Sequence, residues 1–441
     1  MSSTESPATP AARDPRTFFA GLSPGWRRTR PVILAMSVTL AAVGIIGCAD
    51  QTTAPSIAPL HPSITSERDA PNFWKTGASV RWNGIARGLV DTNLPKKGQQ
   101  AALRALTYLS LAQYNAVVAA EKGKENDLHP SEQAAVAGAS AAVLTYFFPT
   151  AAAFIETQVA VQKAAPHWPG EKHTDFDAGE QIGRSVGAGV IAHAATDRFT
   201  APWTGTVRTD IGGWFSSALP PVLPLLGQMR TFFMTSGSQF RPGPPPARGS
   251  PEFMAALAEI RQISDTRTDE QKRIARFWAM ATGTLVAGYW NEQASALIVD
   301  RHMSEREAAH AFALMNMATM DANIACHDAK YTYWLIRPTQ ADSRIKLIMA
   351  DATGVGVGLP NHPSYPSNHA CVSGTAANIL GHLFPSDKSR LGSLAQEAAI
   401  SRLYAGIHYR FDINAGLRIA RQVANLAIKL DVHGHQPFTL R

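Results

Sequence analysis

Pro366-Ser-Asn-His-Ala-Cys-Val-Ser-Gly-Thr-Ala-Ala-Asn-Ile-Leu-Gly-His-Leu-Phe-Pro385 decides the fold, because most of it spells a helix that occurs twice in this chain. From Val372 the pattern is Val-x-Gly374-x-x-Ala377-x-x-Leu380-x-x-x-Phe384-Pro385, and it stands 236 residues earlier as Val136-x-Gly138-x-x-Ala141-x-x-Leu144-x-x-x-Phe148-Pro149. A second pair, Ala178-Gly179-x-x-Ile182-x-Arg184-x-Val186 and Ala415-Gly416-x-x-Ile419-x-Arg421-x-Val423, is offset by 237. Leu111-Ala112 with Asn115-Ala116 also resembles Met317-Ala318 with Asp321-Ala322. Helical periodicity alone does not produce two agreeing offsets, so the chain reads as a duplication. Apolar spacing predicts helices over Gln100–Ala120, Ser131–Phe147, Thr150–Ala164, Asp177–Ala194, Glu252–Ser264, Glu270–Met280, Trp290–Asp300, Ser304–Ile336, Ser373–Leu383 and Ile413–Leu430. Alternating strand patterns are scarce, and Pro and Gly cluster at Leu219–Gly227 and Arg241–Pro251, which marks a long connection. The expected architecture is all-α: two related helical bundles, a structural one over 71–225 and one over 226–441 that carries the active site.

Just outside the repeated helix lies the chemistry. Ser367 precedes the apolar run and reads as its cap, which directs the free N–H groups of the helix start, the Ser367 hydroxyl and the His369 ring to one place. Lys330 and Arg337 are seven apart, so on one helix they share a face about 10 Å apart, and Pro338 ends that helix. Arg402 and His408 are six apart, which predicts a break near Ala405-Gly406. Asp412, four beyond His408, is placed to accept from the second ring nitrogen. Three cations, two histidines, a hydroxyl and a helix start suit a tetrahedral or trigonal-bipyramidal oxyanion, phosphate or its analogue vanadate. The first half has Gln133 and Glu171 where His369 and His408 stand, so only the second copy is equipped.

The segments Lys330-x6-Arg337-Pro338, Pro366-Ser367-Asn368-His369 and Ser401-Arg402-x5-His408-x3-Asp412 resemble the pattern of the vanadium-dependent haloperoxidase and type 2 phosphatidic acid phosphatase superfamily. Phe277-Trp278-Ala279, Trp290-Asn291-Glu292 and the approach to Lys330 look like the soluble bacterial haloperoxidase branch. The resemblance implies vanadate as cofactor, bonded to His408 and neutralised by Lys330, Arg337 and Arg402, with Ser367 and the Asn368 amide donating and phosphate able to occupy the same place. It further implies His369 as acid–base, Lys330 as the group that polarises peroxide, and hydrogen peroxide, halide and a small organic acceptor as partners. A histidine at the place of His362 goes with bromoperoxidases in the family, which favours bromide. The chain departs from the family at Asn368, usually glycine, at His327, often tryptophan, and at Met280-Ala281-Thr282, where relatives place an aspartate that pairs the Arg402 equivalent.

Two other readings stay open at this stage. An acid phosphatase would use His408 as nucleophile, giving a phosphohistidine, and His369 to protonate the leaving alcohol. A non-catalytic oxyanion-binding lipoprotein would need the cations but neither histidine as a poised acid. His433 and His435 lack a third ligand, Met315, Met317 and Met320 read as core filler, and His302 and His310 as residues that cap or line a helix.

Arg27, Arg28 and Arg30 before the apolar stretch Pro31–Gly47 and Cys48 predict a lipoprotein-type signal peptide over 1–47. A flexible tether, rich in Thr, Pro, Ser and Ala, follows over 48–70, so the protein is expected outside the cytoplasm, lipid-anchored through Cys48. Three cysteines exclude a disulfide scaffold, and with Cys48 lipidated only Cys326 and Cys371 remain, free or bridged. The formal charge of +7 includes the arginines of the signal, and no aromatic-interleaved basic motif accompanies it, so nucleic acid is not expected as a partner. A homo-oligomer is possible through the apolar stretch Val222–Phe233.

Overall fold

The computed structural model describes residues 77–440 apart from 94–97, 124–128, 166–174, 209–212, 217, 281–284, 353 and 435; the signal peptide, the tether and Cys48 lie outside the described residues, as do Glu171 and His435. Among the described residues there are thirteen α-helices and no strand, only isolated bridges. They are α1 (Ala78–Asn93), α2 (Gln99–Lys122), α3 (Glu132–Phe147), α4 (Ala152–Ala164), α5 (Phe176–Ala195), α6 (Pro251–Thr266), α7 (Asp269–Met280), α8 (Leu285–Asp300), α9 (Glu305–Tyr333), α10 (Pro338–Ala341), α11 (Asn368–Leu383), α12 (Lys388–Tyr404) and α13 (Arg410–Lys429).

The duplication is visible as repeated geometry. α3, a short 3-10 turn at Pro149–Ala151, α4 and α5 follow one another as α11, a 3-10 turn at Pro385–Asp387, α12 and α13 do later. Ser131 donates its N–H to the Asp175 carbonyl at 2.9 Å, and Ser367 donates to the Asp412 carbonyl at 3.0 Å, so the start of α3 is pinned to that of α5 and the start of α11 to that of α13. At the same crossing a Cβ on Gly179 would lie 2.3 Å from the Ser131 carbonyl oxygen, and one on Gly416 would lie 2.7 Å from that of Ser367. Glycine is required there because the helices approach backbone to backbone. Gly416→Ala is therefore expected to cost about 1–3 kcal/mol by overpacking, read as a lower urea midpoint at unchanged slope. An unchanged midpoint would show that α13 can move aside.

The two series are packed into one compact unit rather than set apart. The long helices α2 and α9 lie against each other, α3 and α5 pack on α2, and α11 and α13 pack on α9. α9 is buried on nearly every face, with Met315, Met317 and Met320 in the core. Its start is held by a capping box in which Ser304 and Glu307 exchange hydrogen bonds. His310, one turn on, pairs its Nε2 with Asp431 at 2.7 Å. His433 lies 3.5 Å from the same carboxylate with its side chain largely exposed. The helix-poor connection between α5 and α6 runs over α9, where the N–H groups of Phe232, Phe233 and Met234 all donate to the Asp321 carboxylate. Leu226, Phe232 and Phe233 are thereby buried in the chain's own core, which leaves Val222 as the exposed large apolar residue of the stretch offered above as an oligomer contact.

Three sequence expectations need correction. The helix predicted to reach Ile336 ends at Tyr333, because Trp334 takes a left-handed conformation with φ 50. Arg337 is extended, as a residue before proline prefers, and Pro338 opens the short helix α10 instead of closing α9. Lys330 and Arg337 therefore do not share a helix face. Helices α1 and α12 escaped the periodicity reading: α1 carries two interior glycines, and α12 interleaves Gly, Ser and Gln with its apolar positions. Cys326 and Cys371 are buried free thiols, not a bridge.

Candidate active site

The ends of α9, α11, α12 and α13 meet around His408. Gly406, with φ +76, turns the chain after α12, which places His408 in the short link before α13. Its Nδ1 lies 2.8 Å from Asp412 Oδ2. Asp412 is fully buried and also accepts from Ser364 Oγ at 2.6 Å and from the Tyr409 N–H at 3.1 Å. Burial raises the Asp412 carboxyl to about 6 against the hydrogen bond from Ser364. Burial and then the nearby Arg337 and Lys330 charges hold the His408 ring well below its ordinary value, so it is neutral near pH 7. A neutral ring that donates from Nδ1 to a carboxylate keeps its lone pair on Nε2, which faces the Arg337 guanidinium at 3.1 Å.

Arg337, fully buried, reaches the Ile407 carbonyl at 2.7 Å, the His362 carbonyl at 3.0 Å and His362 Nδ1 at 3.1 Å. Burial lowers it to about 10, which leaves it cationic. Lys330 donates to the carbonyls of Pro363 at 3.0 Å, Ser364 at 2.8 Å and Pro366, so it braces the loop that leads into α11. Burial brings its ammonium to about 8. Arg402 is 2% exposed and donates to the Ala275 carbonyl at 2.7 Å and to Ser401 Oγ at 2.8 Å. Among the described residues no carboxylate pairs it, and burial lowers it to about 9.

Ser367 occupies the cap position of α11, yet its side chain caps nothing: the buried Oγ has no partner, and neither has Asn368 Oδ1. His369 Nε2 lies 2.8 Å from the Trp278 carbonyl, which can only accept, so the proton sits on Nε2 and Nδ1 carries the lone pair. Burial and then the Arg402 charge keep this ring neutral as well. His362 and His327 face each other with ring centroids 5.7 Å apart. Burial and then Lys330 lower His327 to about 3.

These groups surround a cavity of about 270 Å³ lined by His362, Asn368, His369, Arg402 and His408 among the predicted residues. Lys330, Arg337 and Ser367 stand behind that lining. Gln99 and Gln100 from the start of α2 and Gly356–Gly358 also line it, and sequence reasoning missed them. A larger cavity of about 550 Å³ occupies the related place in the other copy, where Glu132, 236 residues before Asn368, meets the start of α9. Its lining includes Glu121, Glu132 and Glu307, which would repel an anion.

Three buried cations against one buried carboxylate, an orphaned hydroxyl and a histidine lone pair together fit an oxyanion such as vanadate or phosphate. Residues 310–432 match the PAP2 superfamily. A bacterial vanadium-dependent iodoperoxidase structure aligns over 80% of this chain and 94% of its own, with TM-score 0.65 and 22% identity. Bacterial vanadium-dependent chloroperoxidase structures align with TM-score 0.59: the apo-type at 15% identity over 76% of this chain and 94% of its own, and the holo-type at 13% over 85% and 97%. A search of curated protein sequences finds no match. The chain thus has the fold of the bacterial vanadium-dependent haloperoxidase structures, and its segment 310–432 matches the PAP2 superfamily.

Proposed function

We propose that this protein is a vanadate-dependent haloperoxidase that oxidises halide, bromide by preference, with hydrogen peroxide to hypohalous acid, which halogenates organic acceptors. The observation that carries the reading is His408, locked by Asp412 with its Nε2 against the Arg337 guanidinium at 3.1 Å, in the lining of a cavity that has no carboxylate among its lining residues. His408 Nε2 would hold vanadate, and Arg337, Arg402 and the Ser367 hydroxyl would neutralise and hydrogen-bond its oxygens. When bound, vanadate supplies a Lewis-acidic centre that activates peroxide toward halide. His369, neutral with Nδ1 free, is suited to accept a proton from incoming peroxide and return it to the departing oxygen. Lys330, spent on three carbonyls, orders the 363–366 loop and adds positive potential from behind. Bromide as the halide rests on the resemblance at His362, which lines the cavity.

The test is to load the purified protein with orthovanadate, desalt it, measure vanadium content and follow monochlorodimedone bromination. Near-stoichiometric vanadium with peroxide-dependent bromination is the expected result. Retained oxyanion with p-nitrophenyl phosphate turnover and no bromination would replace the reading by a phosphatase. The reading also places the protein outside the cytoplasm on its N-terminal sequence. Cys48→Ala is accordingly expected to move it from the membrane fraction to the soluble one; an unchanged partition would argue against a lipid anchor.

A further inference from the structure

Helix α7 is anchored by few side chains, and the same residues bear on the site. Of its described side chains, Ala275 and Trp278 are the ones fully buried. Their carbonyls accept from two residues of the cavity lining: Ala275 from Arg402 at 2.7 Å, and Trp278 from His369 Nε2 at 2.8 Å. Trp278 stands in the last turn of α7, which ends at Met280, so no N–H of the helix follows four residues on to claim its carbonyl. The indole Nε1–H donates to Glu397 Oε1 on α12 at 2.9 Å, and the ring meets Phe277 and Tyr289 edge-on with centroids 5.2 and 5.0 Å apart. Glu397 is half-buried and stands outside the cavity lining, on the helix that carries Arg402.

We propose that Trp278 and Glu397 are positioning residues for His369: Glu397 holds the indole, the indole fixes the end of α7, and the Trp278 carbonyl keeps the His369 proton on Nε2. Their role rests on the haloperoxidase reading for the reaction that Nδ1 serves, and on the hydrogen bonds alone for the tautomer. A neutral imidazole carries one ring proton, and a partner that can only accept draws it to the nitrogen beside that partner. For His408 the partner is the Asp412 carboxylate, which acts directly at 2.8 Å. For His369 it is a backbone carbonyl, which is only as well placed as the helix end that carries it. Helix ends fray, and α7 has little buried surface to resist this, so the bond from the indole to Glu397 holds the carbonyl in register. The partial negative charge of the same helix end faces the donors of Arg402 and His369.

Trp278→Phe deletes the indole N–H and keeps the carbonyl, and Glu397→Ala removes the acceptor from the other side. Each is expected to lower kcat for bromination about tenfold or more, while bromide KM, peroxide KM and retained vanadium stay close to wild type. Glu397→Gln, whose side-chain carbonyl can still accept, is expected to recover most of that loss. A lower Tm with kcat at the wild-type value would show a purely structural role and overturn the proposal, as would a fall in kcat accompanied by loss of vanadium. The tautomer is read separately, by NMR on vanadium-free protein carrying 15N-labelled histidine, with the His369 signal assigned by its loss in His369→Gln. A protonated Nε2 in wild type and a mixture of Nε2–H and Nδ1–H forms in Trp278→Phe and Glu397→Ala support the positioning role. The same tautomer in wild type and both variants overturns it. Should wild type show no bromination, the function proposed above fails, and the tautomer measurement still decides whether Trp278 and Glu397 position His369.

Discussion

His408→Ala is expected to abolish vanadium retention and to lower bromination by about a thousandfold or more, the largest effect of any single change in this protein. The ring is fixed in orientation with its Nε2 free of a proton: Asp412 holds Nδ1 at 2.8 Å, and burial, then the Arg337 and Lys330 charges, keep the imidazole neutral. Alanine removes that lone pair and leaves the cations in place, so residual weak oxyanion binding without catalysis is the expected signature. Asp412 keeps Ser364 and the Tyr409 N–H as partners in the variant, so the fold should survive. Vanadium content after desalting, monochlorodimedone turnover and circular dichroism check the three parts together. A folded variant that keeps both vanadium and rate would remove His408 from the mechanism.

Arg402→Met should act in opposite directions on stability and on binding. The guanidinium is 2% exposed and, among the described residues, donates to a carbonyl and a hydroxyl and has no carboxylate that would offset its desolvation. Replacing a buried charge by an apolar side chain of similar reach is expected to stabilise the anion-free protein by ~1–4 kcal/mol, less the cost of leaving the Ala275 carbonyl and the Ser401 hydroxyl without this donor. With excess orthovanadate or phosphate the order should reverse, because wild type gains about 2.7 kcal/mol when the ligand stands at a hundred times its Kd and the variant gains much less. Thermal melts of both proteins with and without the anion give four numbers that decide it. A variant less stable under both conditions would mean that Arg402 serves mainly to hold Ala275 and Ser401 together.

Much of the site was legible because it is local. His408 and Asp412 are four residues apart across a helix start, and the break at Ala405-Gly406 follows from the mismatch between a six-residue spacing and a helical turn. Ser367 at the start of α11 followed from an apolar run behind a hydroxyl, although its unpaired Oγ is a matter of what surrounds it. The spacing of Lys330 and Arg337 misled, since one left-handed residue at Trp334 separates them and sends Arg337 to His362 and His408 while Lys330 turns to the 363–366 carbonyls.

By itself the sequence determined the all-helical class, the duplication and the set of groups that could hold an oxyanion, because each depends on spacing within a helix or across one turn. Only the tertiary structure decided which of those groups face the cavity, that Arg402 has no carboxylate partner among the described residues, and that Gln99 and Gln100 from the other copy line the cavity. The physical reason is that burial and hydrogen-bond satisfaction belong to pairs of residues brought together by packing. Gln99 and Asn368 stand 269 positions apart, and no periodicity along the chain records that they line one cavity.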